Sequence, residues 1–230
     1  MLRSVVLSLL LGTCATAWAG GFAVLPLRVE LGKNRTASLT ITNGEEAKAF
    51  EVRVVRWSQK DRADSYEPTD ELLAAPATFR LDKDASQVVR VALNRKLDAD
   101  EHAYRVFVEE VAVAKEISPN SLKTVVSMAI PAFVAPQAGP IAKGQAKLSA
   151  SLDKDKVAHI QVANTGKANL KLLEWRLSSS AGDLLKVPSA AYVLAGNTLA
   201  ATYPLRIEAD GALTLTLRTD RGTFSTPVVR

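Results

Sequence analysis

Along most of the chain, apolar positions recur at every second residue. Ala37-Ser38-Leu39-Thr40-Ile41-Thr42, Phe50 to Trp57, Gln87 to Leu93 and Tyr104 to Val111 are short, rich in β-branched or aromatic residues, and flanked by turn formers. Successive side chains of an extended chain point to opposite faces, so this alternation predicts strands with one face on a core and the other in water. Tight reversals are expected at Gly32-Lys33-Asn34-Arg35, Asn43-Gly44 and Asp82-Lys83-Asp84. Helical periodicity with caps at both ends is lacking, and Glu71 to Ala75 is the one stretch assigned a short helical turn. At Ala135-Pro136-Gln137-Ala138-Gly139-Pro140 two prolines and a glycine interrupt ladder pairing. The alternation then resumes in Lys147–Leu152, His159–Asn164, Leu170–Trp175 and Ala212–Arg218. The pattern predicts an all-β protein, two immunoglobulin-like β-sandwiches in series, with residues 20–136 and 145–230 as the domains and 137–144 as the linker.

The first residues do not fit this pattern. Arg3, the apolar run Val5 to Leu11 and the small-residue ending Ala17-Trp18-Ala19 have the three-part design of a secretory signal peptide, residues 1–19. Cleavage near Ala19 removes Cys14, the sole cysteine. No later run approaches the roughly 20 apolar residues of a membrane helix, so an exported protein without membrane insertion is expected.

Composition narrows the chemistry. With 29 basic and 24 acidic residues the formal charge is +5, but no basic block marks a nucleic-acid partner. One Cys and two His, His102 and His159, are too few for a metal cluster or a disulfide framework, and no phosphate loop or cofactor motif appears; no metal and no cofactor are expected. Nucleophilic catalysis needs a nucleophile, a base and an orienting group together, and neither His stands near such a set. Glu109 and Glu110 look like a carboxylate pair, yet neighbours on a strand point to opposite faces. No catalytic residue is assigned, and a non-enzyme is expected. Trp57 and Trp175 each end an alternating strand and are expected in a core; their other use, stacking on sugars, belongs to an alternative reading as an exported carbohydrate-binding or adhesive protein.

The segment Leu122 to Val134 carries more apolar residues than one face requires. Leu122, Thr124, Val126, Met128 and Ile130 share one face when extended, and the other face is partly apolar too. Two readings remain: a central strand buried on both sides, or an edge strand whose row enters another protein by β-addition.

Several segments together resemble a known family. Leu25-Pro26-Leu27-Arg28-Val29-Glu30-Leu31, Ser38 to Asn43, Phe79-Arg80-Leu81 with Gln87 to Val91, Tyr104 to Phe107, and Ile130-Pro131-Ala132-Phe133-Val134-Ala135-Pro136 look like the periplasmic chaperones of chaperone-usher pilus assembly. Ile130 to Val134 and Tyr192-Val193-Leu194-Ala195-Gly196 are most similar to the archaic branch. The resemblance implies a boomerang of two immunoglobulin-like domains in the periplasm that lends its edge strand, within 122–134, to pilus subunits lacking their last strand. An outer-membrane usher then exchanges that strand, without ATP. Leu122, Thr124, Val126 and Met128 are the implied donor row. Arg28 is the implied anchor for the carboxylate that ends a pilus subunit, and Asp220 the implied interdomain acid. Relatives carry a lysine where Pro131 stands, and the arginine that pairs with the interdomain acid is replaced near Ala135; Arg90 or Arg105 is the expected substitute for the missing cation. Whether the free protein pairs with itself to cover its edge stays open.

Overall fold

A computed structural model describes residues 21–60, 63–111, 125–205 and 211–229; the expected signal peptide lies outside them. The described residues form strands and turns without a helix, as the alternation predicts. In the first sandwich, one sheet runs β1 (Phe22–Leu25), β3 (Thr36–Asn43), β8 (Ser86–Leu93), β6 (Leu72–Ala75). The facing sheet runs β2 (Val29–Leu31), β10 (Ser127–Val134), β9 (His102–Val111), β4 (Lys48–Lys60), β5 (Ala63–Pro68), and β7 (Thr78–Leu81) also pairs with β4. In the second, β11 (Ala146–Leu152), β12 (Val157–Asn164) and β16 (Thr198–Pro204) face β14 (Gly182–Pro188), β13 (Leu170–Ser179), β17 (Thr214–Thr219) and β18 (Gly222–Pro227), with β15 (Tyr192–Val193) on β13.

The helical turn expected at Glu71 to Ala75 is a strand instead. Leu72 to Ala75 pair with Leu93 to Arg90 and Leu72 is buried, so a ladder and a core contact override a weak local preference. The first core joins Leu39, Ile41, Val89 and Val91 of one sheet to Phe50, Tyr104, Val106 and Val108 of the other. The second is built around Val162, Leu172, Trp175, Leu215 and Leu217.

An asparagine closes the same corner of each sandwich. Asn43, at the end of β3, is buried and its amide donates to the carbonyls of Glu45, Glu46, Leu81 and Asp82. Asn164, at the end of β12, donates to Ala168 and Val193. Their side chains satisfy turn carbonyls that no strand reaches. Between the domains, Gly144 is pressed against Leu170 and Arg221, where an added Cβ meets Leu170 Cδ2 at 2.5 Å.

The first strand changes sheets. β1 pairs with β3, and after Leu25-Pro26-Leu27-Arg28 the backbone runs on as β2 alongside β10 in the facing sheet. Leu25 and Leu27, in the crossing, are 64% and 59% exposed.

Candidate functional site: an open strand edge beside a domain junction

β10 has two different halves. Ala132 to Val134 lie between β9 and the parallel strand β2, whereas Ser127 to Pro131 are paired only with β9. Glu110 donates its backbone N–H to the Val126 carbonyl, which fixes the ladder phase. Residues 126, 128 and 130 therefore bond to β9, the backbone groups of 127 and 129 face the open side, and the carbonyl of 131 faces the start of β2. Pro131 falls on an outward position, where its missing N–H breaks no bond within the sheet. Of the implied donor row, Leu122 and Thr124 lie outside the described residues. Val126 is 39% exposed, next to Val125 at 50%, and Met128 is partly buried against the first core. Ile130 is fully in that core.

Beside this edge stands a group of cations. Arg28, between β1 and β2, bonds Asp220 of the second domain through Nη1 at 2.9 Å and Glu30 through Nη2 at 2.7 Å. Burial works against its charge, but the bond to Asp220 and the field of Glu30 more than offset that, so its pKa is raised. Asp220 also accepts the backbone N–H of Lys171. Asp220 thus ties the second domain to Arg28 of the first. Arg105 sits on β9 directly across from Pro131, in a non-hydrogen-bonded pair, the arrangement that brings facing side chains closest. It donates to the Ala129 carbonyl on the open edge at 3.3 Å and lies 3.8 Å over the Trp57 ring. Arg90 does not join them. It is exposed on β8, in the other sheet, between Ser38 and Ala75.

Three rings meet where the domains touch. Trp57 and Phe133 from the first domain and Tyr192 from the second have centroids 5.5 to 5.9 Å apart. Arg28 lies 4.8 Å over Phe133, and both arginines reach the Tyr192 ring, at 5.8 and 6.0 Å. Four buried side-chain atoms among the described residues have no hydrogen-bond partner: Arg28 Nε, Arg105 Nε, Trp57 Nε1 and Asn169 Oδ1. All belong to residues of the junction, and three are donors on or beside the cationic group. Unpartnered buried donors are rare, and here they gather around the two guanidinium groups.

Sequence reasoning missed the rest of the junction. The Gln59 amide bridges to the Tyr192 carbonyl and the Leu194 N–H, at 2.9 Å each. Glu101 accepts from the backbone and side chain of Asn169 and lies near Arg221. A lone Gln and a lone Glu between strands carry no periodic signal; only the packing of the two sandwiches reveals them. Trp175 is in the second core as expected, whereas Trp57 lies outside the first sandwich and is covered by the second domain. His102 and His159 each bond a nearby aspartate, Asp98 and Asp153, in structural pairs at strand starts.

The fold has counterparts among solved structures. No curated protein sequence matches the chain directly. In fold, it is similar to a chain of the CsuC–CsuE chaperone–tip adhesion subunit pre-assembly complex from archaic chaperone-usher Csu pili of Acinetobacter baumannii, with 15% identity, 91% of this chain and 99% of that one covered, and a TM-score of 0.65. The E. coli chaperone DraB gives 20% identity, coverage of 90% and 95%, and a TM-score of 0.57. A chain of the Salmonella enterica SafA pilin–SafB chaperone complex gives 16%, 90% and 96%, and 0.58. The model of the pili and flagellar-assembly chaperones, PapD N-terminal domain, matches residues 21–140, and the chain belongs to that family.

Proposed function

We propose that this chain is a periplasmic chaperone that holds pilus subunits by donor-strand complementation and passes them to an outer-membrane usher without ATP. The observation that carries this reading is the half-open strand: among the described residues no strand pairs the outward backbone groups of Ser127 and Ala129, which stand beside exposed Val125 and Val126. An edge of that kind accepts a strand from a partner, with ladder bonds supplying affinity and alternate side chains supplying register. Apolar burial adds about 25 cal/mol per Å². Residues 122–134 are the donor segment, residues 20–136 and 145–230 the two functional domains, and the signal peptide ends near Ala19.

Arg28 and Arg105 form the anchor for the terminal carboxylate of the bound pilus subunit. Arg105 takes the place of the lysine that relatives carry at Pro131, because the register puts it opposite that residue. Guanidinium suits the task through paired, charge-assisted bonds to a carboxylate. The carbohydrate-binding alternative is disfavoured, since Trp57 and Trp175 are both buried and offer no open face to a sugar.

Co-expression with a candidate pilus subunit tests the reading. A soluble one-to-one complex is expected with a pilin that aggregates alone. Replacing the exposed Val126 with Asp should sharply reduce it while the free chaperone stays folded; unchanged recovery of the complex refutes the donor row.

A further inference from the structure

We propose that Tyr192 is a positioning residue for the carboxylate anchor, a ring supplied by the second domain that holds the guanidinium groups of Arg28 and Arg105 in place. The inference rests on the anchor reading above and deepens it by adding a contribution from the other domain.

Each of the two cations leaves part of its guanidinium without a fixed partner. Arg28 keeps Asp220 and Glu30, but its Nε is buried without a partner. Among the described residues Arg105 has a 3.3 Å bond to the Ala129 carbonyl, a 3.9 Å approach to Asp64 and the Tyr66 hydroxyl nearby, with Nε again unpartnered. A long side chain with bonding positions left open keeps rotamer freedom, and ordering it on binding costs affinity. The aromatic triangle limits that freedom. Arg28 rests on Phe133 and Arg105 on Trp57, and each of those rings packs on Tyr192. Tyr192 is the one ring both arginines reach, at the outer range of a cation–π contact. It is itself fixed: Gln59 of β4 accepts from the next-but-one residue, Leu194, and donates to the Tyr192 carbonyl. Lys171, its cross-strand neighbour, brings a third cation within 6.0 Å of the ring. One aromatic side chain from the second domain thus stands among three cations of the cleft.

The carboxylate dependence of binding separates positioning from stability. Isothermal titration of the full chain with a peptide copying the last residues of a pilin is run with the native terminal carboxylate and with a terminal carboxamide. The wild type should prefer the acid. In Tyr192→Leu that preference should fall by about threefold or more, in line with the loss of one cation–π set, with little change in affinity for the amide. Tyr192→Phe, which keeps the ring, should restore the preference. An unchanged acid-to-amide ratio in a folded Tyr192→Leu variant overturns the positioning role. So does an equal loss for both ligands, which marks Tyr192 as structural only. If the wild type itself does not distinguish acid from amide while still binding the peptide, the anchor reading fails and takes this proposal with it.

Discussion

Replacing Asn43 with Ala should cost the first domain about 2–4 kcal/mol, and the structure shows where that figure originates. The Asn43 amide faces four carbonyls, of which Leu81 is buried and Glu45, Glu46 and Asp82 are partly buried. The amide has two hydrogens and so satisfies about two of these acceptors at full strength. A buried carbonyl left without a donor costs about 1–3 kcal/mol and a partly buried bond that water replaces roughly 0.5–1 kcal/mol, together about 2–4 kcal/mol. Against a typical stability of about 5–15 kcal/mol, the loss is large. Asn43→Asp should be worse, because a carboxylate turns acceptors toward those same oxygens. Asn164→Ala should act likewise on the second domain, through Ala168 and Val193. Chemical denaturation followed by fluorescence suits the test, since Trp175 is inside the second core and Trp57 is at the junction. Asn43→Ala should shift the part of the transition reported at the junction, and Asn164→Ala the part reported by Trp175. A loss below about 1 kcal/mol for Asn43→Ala, or tolerance of Asn43→Asp, refutes the corner argument.

Two further outcomes follow from the geometry. Arg105→Ala should weaken binding of a pilin with a free terminal carboxylate about tenfold or more, as for a hydrogen bond to a charged group. Pro131→Lys in that background should recover part of the loss, because position 131 faces Arg105 and its N–H is not needed by β9; no recovery in a folded double variant removes Arg105 from the anchor. Glu71 joins Arg56, Arg95 and the Tyr104 hydroxyl. Burial raises its pKa, but the bonds from Arg56 and Tyr104 outweigh that and the net shift is downward. A carboxylate depressed in the fold stabilises above its unfolded pKa, and that stability is lost as pH falls through the folded value. Glu71→Gln should therefore lower stability near neutral pH and flatten its decline on acidification, measured as melting temperature against pH; an equally steep acid limb in the variant contradicts the assignment.

The alternation of apolar residues made the strands legible because each has one wet face and one dry one, as β3 and β8 do. Leu72 to Ala75 defeated it: the segment is too short to show a period, and its state is decided by pairing with β8. The excess apolar content of Leu122 to Val134 pointed to the segment that contains β10. The division of β10 into a covered half and an open half depends on where β2 joins it, which no local pattern encodes. Arg28 and Asp220 were both legible, but their bond, which spans 192 residues of sequence, was not. Arg105 could be separated from Arg90 only by knowing which sheet each strand enters and which residue lies across from it.

The crossing at Leu25 to Arg28 acts as a ruler. Val29 is where β2 begins to occupy the flank of β10, so on the donor-strand proposal the position of that switch sets how many residues can be lent out. A switch made two residues earlier would seal Ile130 and Pro131 and shorten what a guest can grasp; one made two residues later would lengthen the grip and leave the empty molecule stickier. The compromise between a firm hold and a safe idle state is written into the place where one short ribbon changes partners.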